Sequence, residues 1–443
     1  MIKDVILIFV YTAIFIYLII KLRFFYVLGV SRYVLPLLFL VKVVAGIALV
    51  YIYSHFYSDR SSSDIFKFFD DGNIIFGAIY NNPIDYLRML TGIDANSEDL
   101  KHYYASINNW FKEFNYDLYN DNRTIIRINA FFRLFSFGSI HVHNIFMSFL
   151  AFTGLTGIFK TFNRYYPHKR LLLIIAIYLL PSVLLWTSGS LKEGIVIFSL
   201  GLMFYCIYRL IGKNKRVVNS IILILCLIIL FYIKIYVLIS IIPAMIFLIW
   251  FNFSKHKKFI FLKFLITHVV LFLIFYLSKF FFFDYDLLGI LVNKQHDFIN
   301  LVNSLRDVGS YIEIPKLENN LFSIFVNIPN ALFNVICRPH FFDIHNLMVI
   351  PAFLENLVIW IFIILSFIFG SKNDLRINSG LMYFCASFSM ILFIVTGLTT
   401  PVIGALVRYK VPALPFFVIM FIILFNNVKF KKFIIKYIPI YKK

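Results

Sequence analysis

The sequence predicts an all-α fold, a polytopic transmembrane helical bundle of about eleven spans with two extracytoplasmic loop regions. Three observations predict it. Hydrophobic residues make up 61% of the 443-residue chain and charged residues 14%, a balance that excludes two or three soluble domains. The apolar residues gather in continuous runs, many close to the roughly 20 residues that cross a bilayer as a helix, and they do not alternate as barrel strands do. Lys and Arg fall in short clusters between the runs, as topology signals do. The same clustering answers the net charge of +20: no soluble basic domain exists to carry nucleic acid, and the bilayer is the expected partner.

The first run, 5–20, lacks a small-residue cleavage site and reads as a retained span. Lys21, Arg23 and Arg32 separate it from the second, 34–53, which carries Lys42 near its middle. A long polar region follows over 54–138, rich in Asp and Glu, and within it Arg127 and Arg133 among Ile, Phe and Leu suit a helix lying in the interface. The third span is 140–159 and the fourth 171–186. After Thr187-Ser188-Gly189-Ser190 comes the fifth, 191–211, then the sixth, 218–233, and a tight return at Lys234 into the seventh, 237–253. The eighth is 259–282. A second polar region covers 283–347, and the last three spans are 348–369, 380–396 and 411–425. Placing the first basic loop in the cytoplasm puts every later basic cluster there and both acidic regions outside. The expectation is a multi-pass protein of the plasma (inner) membrane, N-terminus outside and C-terminus cytoplasmic. Cys206, Cys226, Cys337 and Cys385 are too far apart for a zinc pattern and suit no disulfide framework.

Four stretches carry candidate chemistry, all on the outer face under this topology. The first is Asp64 with Asp70 and Asp71. Ser61–Ser63 suit the cap of a helix beginning near Asp64, on which Asp64, Lys67 and Asp71 share a face. Its carboxylates suit two roles: oxygen ligands for a divalent cation such as Mg or Mn, or a general base for an acceptor hydroxyl. A solvated loop helix is the third reading. The second stretch is Trp186 to Gly194, where small polar residues leave backbone N–H groups for an anion and Lys192, with Glu193 beside it, adds charge. An ordinary hairpin turn is the alternative. The third is Arg408-Tyr409-Lys410 between prolines, basic against the topology trend and suited to phosphate or to interfacial snorkelling. The fourth is Arg338-Pro339-His340 with Asp343 and His345, then Glu355-Asn356. Its spacing fits no helical metal-ligand pair; a phosphate-contacting Arg338, a proton-transfer His340 and a plain interfacial loop all stand. Within the spans, Lys42 and His268 read by default as functional groups; the alternative is that Lys42 pairs with a carboxylate of another helix and that His268 satisfies a backbone carbonyl.

Together these pieces resemble bacterial membrane proteins of surface-glycan assembly. The resemblance rests on the early acidic loop, the Trp-x-Ser-Gly-x-x-Lys-Glu turn at Trp186, the Arg-Pro…Glu-Asn segment at Arg338 and the Arg-Tyr-Lys-x-Pro-x-x-Pro segment at Arg408. It is to two groups, the GT-C glycosyltransferases and the O-antigen-type polysaccharide polymerases. The first implies that Asp64 or the Asp70–Asp71 pair is the outer-loop acid, a general base or metal ligand, although in that family the loop usually follows the first span. The second implies that Arg306, Arg338 and His340 grip the diphosphate of the donor. Either implies a polyprenyl-linked glycan donor, a phosphate held by Lys192, Arg408 and Lys410, and other glycan-assembly membrane proteins as partners. A transporter or flippase of lipid-linked glycan, and a non-catalytic envelope scaffold, are the competing readings.

Overall fold

The computed structural model describes residues 2–56, 60, 63–111, 120–213, 215–254, 258–281, 286–304, 310–345, 347–370 and 379–437. These are overwhelmingly helical and include no strand. In chain order the helices are α1 (Ile2–Lys21), α2 (Val34–Phe56), α3 (Asp64–Asn81), α4 (Pro83–Thr91), α5 (Lys101–Tyr104), α6 (Asp121–Ser136) and α7 (Ile140–Tyr165). Then come α8 (Arg170–Ile174), α9 (Pro181–Trp186), α10 (Lys192–Ile211), α11 (Arg216–Ile233), α12 (Ile235–Phe253), α13 (Ile260–Phe281), α14 (Leu287–Ser304) and α15 (Leu321–Cys337). The last are α16 (Ile350–Ile368), α17 (Ser379–Thr399), α18 (Ile403–Tyr409), α19 (Leu414–Leu424) and α20 (Asn427–Tyr437).

Among the described residues nine helices are long and apolar enough to cross a membrane, and α18 with α19 makes a tenth if that pair, bent by 65°, is one span. The protein is therefore a multi-pass helical membrane protein. The expected fourth span, 171–186, is not one helix. It runs as α8, a wider π-type turn over Ile175–Leu179, an extended Leu180 and then α9. Pro181 explains the break: it has no N–H to donate, and its ring pushes the preceding residue out of the helical region. The second polar region also differs from expectation. It contains α15, an apolar helix interrupted by Asn327, Pro329, Asn330 and Asn334, which hide it from a composition reading.

The helix ends follow local chemistry. The Asn82 side chain accepts the N–H of Ile84 at 3.1 Å, Pro83 takes the first helical position, and α4 stops at Gly92, whose φ of 85° only glycine adopts easily. Asn120 caps α6 by accepting from Asn122 N at 3.0 Å, and Asn320 caps α15 by accepting from Ser323 N at 2.7 Å. Ser63 precedes α3, but its hydroxyl makes no cap bond; Ser61 and Ser62 lie outside the described residues.

The chain divides into two compact units, Met1–Thr161 with Val183–Ile235, and Phe162–Ser182 with Tyr236–Lys443. In the first, α7 and α10 cross with their backbones almost touching. A Cβ on Gly201 would stand 2.1 Å from Gly154 O, and one on Gly154 would stand 2.2 Å from Ile197 O. Such small-residue crossings let apolar helices gain dispersion contact where no hydrophobic driving force acts between them. The α6 helix buries Ile125, Ile126, Ala130 and Phe132, and leaves Phe131, Leu134 and Phe135 exposed on another face. The buried His143 ring ties α6 to α7 through Asn129 Oδ1 and Ser136 Oγ, both at 2.8 Å. In the second unit, α15 and α17 make a similar crossing at Gly397, where a Cβ would stand 2.2 Å from Ala331 O.

In the polar region of the first unit Arg88 gathers Asp85, Asp94, Asp99 and Ser97. Hydrogen bonding from Arg88 holds the Asp99 carboxyl down at about 2. A carboxyl held below its ordinary value adds stability that is complete at neutral pH and is lost as the pH falls through its folded value. Pepsin cleavage within residues 92–107 is therefore expected to rise between about pH 4 and about pH 2. In Arg88→Met the same cleavage should already be high at the top of that range.

Candidate functional site

The first unit brings two of the predicted stretches together. The turn after α9 is built from side chains that answer its own backbone. Thr187 Oγ1 donates to Val183 O at 2.6 Å and Ser188 Oγ to Leu184 O at 2.5 Å. Asn144 Oδ1 accepts both Ser190 N, at 2.8 Å, and Ser190 Oγ, at 3.0 Å. The Ser190 N–H that the sequence offers to an anion is thus already taken. Lys42 reaches this turn from α2. Among the described residues it pairs with no carboxylate, and it donates to Thr187 Oγ1 at 2.5 Å and Ser188 Oγ at 3.2 Å. Gly46 makes the approach feasible, since a Cβ there would stand 2.8 Å from Ser188 O.

Directly after the turn, Lys192 and Glu193 open α10. Lys192 Nζ meets Asp121 Oδ2 at 2.6 Å and Asn122 Oδ1 at 2.7 Å, at the start of α6. It also lies over the Phe68 ring of α3, 5.3 Å from the ring centre. Glu193 Oε1 accepts from Lys234 Nζ at 2.7 Å, an ion pair with almost no exposure on either side chain. Asp121, Asn122 and Lys234 are the partners that sequence reasoning missed as site residues. Some 70 residues separate Lys192 from Asp121, so no local spacing reports the contact; the only signal was the Asn-Asp helix start.

The three acids of α3 have three different fates. Asp64 is ion-paired with Lys67, and Lys67 lies 5.2 Å from the centre of the same Phe68 ring as Lys192. Asp64 is 27% exposed as a side chain, open enough to meet a solute. Asp70 is held bidentately by Arg60, at 2.7 and 2.8 Å. Asp71 points into the fold and accepts Asn109 Nδ2 at 2.8 Å, Asn109 N at 3.1 Å and Asn108 N at 3.3 Å. Burial pushes its carboxyl up, against the pull of those amides. Its role is to hold the 108–109 turn. Asp71→Ala is expected to cost about 1–3 kcal/mol by leaving buried amide donors unanswered, whereas Asp70→Ala should cost less than about 1 kcal/mol because its ion pair is exposed. Hydrogen exchange at residues 105–111 checks both. Among the described residues no three His, Cys, Asp or Glu side chains gather so as to hold a metal ion. Asp64 and Asp71, which the sequence sets on one face, are turned to different partners, Lys67 and the Asn108–Asn109 turn.

In the second unit the two later motifs meet. Lys410 is 3% exposed and sits at the bend between α18 and α19. Its Nζ donates to Asn356 Oδ1 at 2.9 Å and Val335 O at 3.3 Å, and Asn356 Nδ2 donates to Pro339 O at 3.3 Å. Arg338 Nη1 meets Asp343 Oδ1 at 3.2 Å, while Asp343 Oδ2 accepts His340 N at 2.9 Å. His340 thus orders this loop, and its ring Nδ1 stands 3.1 Å from the same carboxylate. Glu355 Oε2 accepts Ser182 N at 2.6 Å. The rings of Tyr409 and Tyr236 lie 6.4 Å apart. Arg408 precedes Tyr409 in the last turn of α18. Arg306 lies outside the described residues. His268 satisfies the Phe264 carbonyl at 2.7 Å and contacts Ser387 Oγ at 2.6 Å.

No protein-family model, curated protein or solved structure matches this chain.

Proposed function

We propose that the protein is a membrane glycosyltransferase. It moves a sugar or oligosaccharide from a polyprenyl-(di)phosphate-linked donor to an acceptor at the extracytoplasmic face, in the assembly of a cell-surface polysaccharide or glycoconjugate. The observation that supports this reading is that the motif segments, far apart in the chain, come together in pairs. The α3 acid stretch meets the Lys192 turn over Phe68, and the Arg338–Asn356 segment meets Lys410. In this reading Asp64 takes the proton of the acceptor hydroxyl. Lys192, which lies over the same Phe68 ring as the Asp64 partner Lys67, balances the charge that develops on the leaving phosphate.

The test is mass spectrometry of lipid-linked glycans from cells with the intact protein, without it, and with Asp64→Asn at equal abundance. One defined lipid-linked precursor is expected to build up in both defective strains. Unchanged pools in both would sink the proposal, and build-up in the deletion alone would remove Asp64 from the site.

A second reading, a flippase of lipid-linked glycan, is favoured by the broken helices at 175–181 and at the α18–α19 bend. The same cells separate the two. An enzyme defect leaves the accumulated precursor open to a membrane-impermeant glycosidase added from outside, and a flippase defect leaves it protected.

A further inference from the structure

We propose that Glu355 is a proton-binding site inside the second unit, coupled through space to Lys410. Glu355 lies within α16, an apolar helix long enough to cross a membrane, and is 4% exposed. One oxygen of its carboxyl accepts Ser182 N, and the Ser182 hydroxyl lies beside the same group. The other, Oε1, is buried and has no hydrogen-bond partner among the described residues. A carboxylate in an apolar setting with one oxygen unanswered is a costly arrangement. Uptake of a proton on Oε1 removes that charge.

The surroundings are built for a polar event rather than for plain packing. Three segments that meet here depart from helix: Pro181 follows the wide turn, Lys410 sits at the 65° bend, and Pro339 follows the end of α15. Non-helical backbone at membrane depth is tolerated where it is buried in protein or lines a polar site. Among the described residues no ion pair joins Lys410 to Glu355; Lys410 is spent on Val335 O and on Asn356 Oδ1, at 2.9 Å, and Asn356 is the residue next to Glu355 in α16. Other titratable groups near them among the described residues include Arg408 and Tyr409, just before Lys410, Cys337 at the end of α15, and the Arg338–Asp343 pair with His340 beyond Asn356. The carboxylate therefore takes up a proton from solvent and releases it under the control of a nearby cation that does not neutralise it directly. The site stands on its own geometry and does not depend on the transferase reading.

The experiment is pH-difference infrared spectroscopy of the full chain in lipid nanodiscs. A protonated-carboxyl C=O band is expected to grow as the pH is lowered and to be missing in Glu355→Gln. Lys410→Met should move its midpoint to higher pH by at least about one unit, a tenfold change in proton affinity. If Glu355→Gln does not fold, Glu355→Asp keeps a carboxyl and shifts the band frequency, which only this group can produce. A band that persists unchanged in the Glu355 variants, no titrating band at all, or an unmoved midpoint in Lys410→Met would each overturn the proposal.

Discussion

Glu193→Ala is expected to destabilise the first unit by about 3–5 kcal/mol, because it removes the carboxylate that meets the buried Lys234 ammonium at 2.7 Å. The two side chains are 0% and 5% exposed and meet at 2.7 Å, so neither charge can turn to water when the other is removed. Lys234→Met should cost a similar amount for the mirror reason. The double variant Glu193→Leu with Lys234→Met should recover most of the loss, since an apolar pair of similar volume avoids both desolvation penalties. Thermal unfolding of the purified protein in detergent reads all three. A double variant as unstable as either single change would show that the pair acts through other contacts. The glycan pools of the double variant add a second readout. On the proposed transferase reading, a folded double variant with pools like those of the deletion strain would mean that Glu193 serves substrate as well as structure; pools like those of the intact protein would confine its role to joining α10 to the end of α11.

Gly201→Ala is expected to be the most damaging single methyl in the first unit. Its Cβ would stand 2.1 Å from Gly154 O and 2.4 Å from Gly154 C. Both neighbours are backbone atoms, so no rotamer change makes room, and α7 and α10 must move apart. Overpacking usually costs 1–3 kcal/mol, and where backbone must yield the loss is expected to exceed about 3 kcal/mol. Gly77→Ala in α3 is the control: nothing lies within 4 Å of its Cβ, so this change should be neutral or stabilising by about 0.5–1 kcal/mol. Monodispersity on size-exclusion chromatography and the unfolding midpoint separate the two. Equal behaviour of the two variants would mean that α7 and α10 do not cross on their glycines.

Much of the architecture is legible without coordinates, and the reasons are local. Runs such as Ile2–Lys21 and Val34–Phe56 are long, apolar and bounded by charge, and the bilayer allows little but a helix there. Asn82-Pro83 and Asn120-Asp121 announce helix starts because the cap needs only its next two or three residues. Two elements were not legible. The break at 175–181 follows from Pro181 acting on a stretch whose composition is uniformly apolar. The α15 helix is masked by its own polar residues, some of which are met only in the fold: Asn334 is buried in the packed unit.

The candidate site divides in the same way. Sequence by itself determined a multi-pass helical membrane protein and the short stretches where polar chemistry is concentrated, because hydropathy, charge clusters and turn residues act over a few neighbours. Only the tertiary structure decided what those stretches do to one another. It gave Asp71 to the Asn108–Asn109 turn, Asp70 to Arg60 and Lys42 to two hydroxyls, and it set Lys192 between Asp121 and Phe68. The physical reason is that a buried charge must find a partner wherever the packing of distant helices supplies one. The identity of that partner is a property of the packing and has no signature in local sequence.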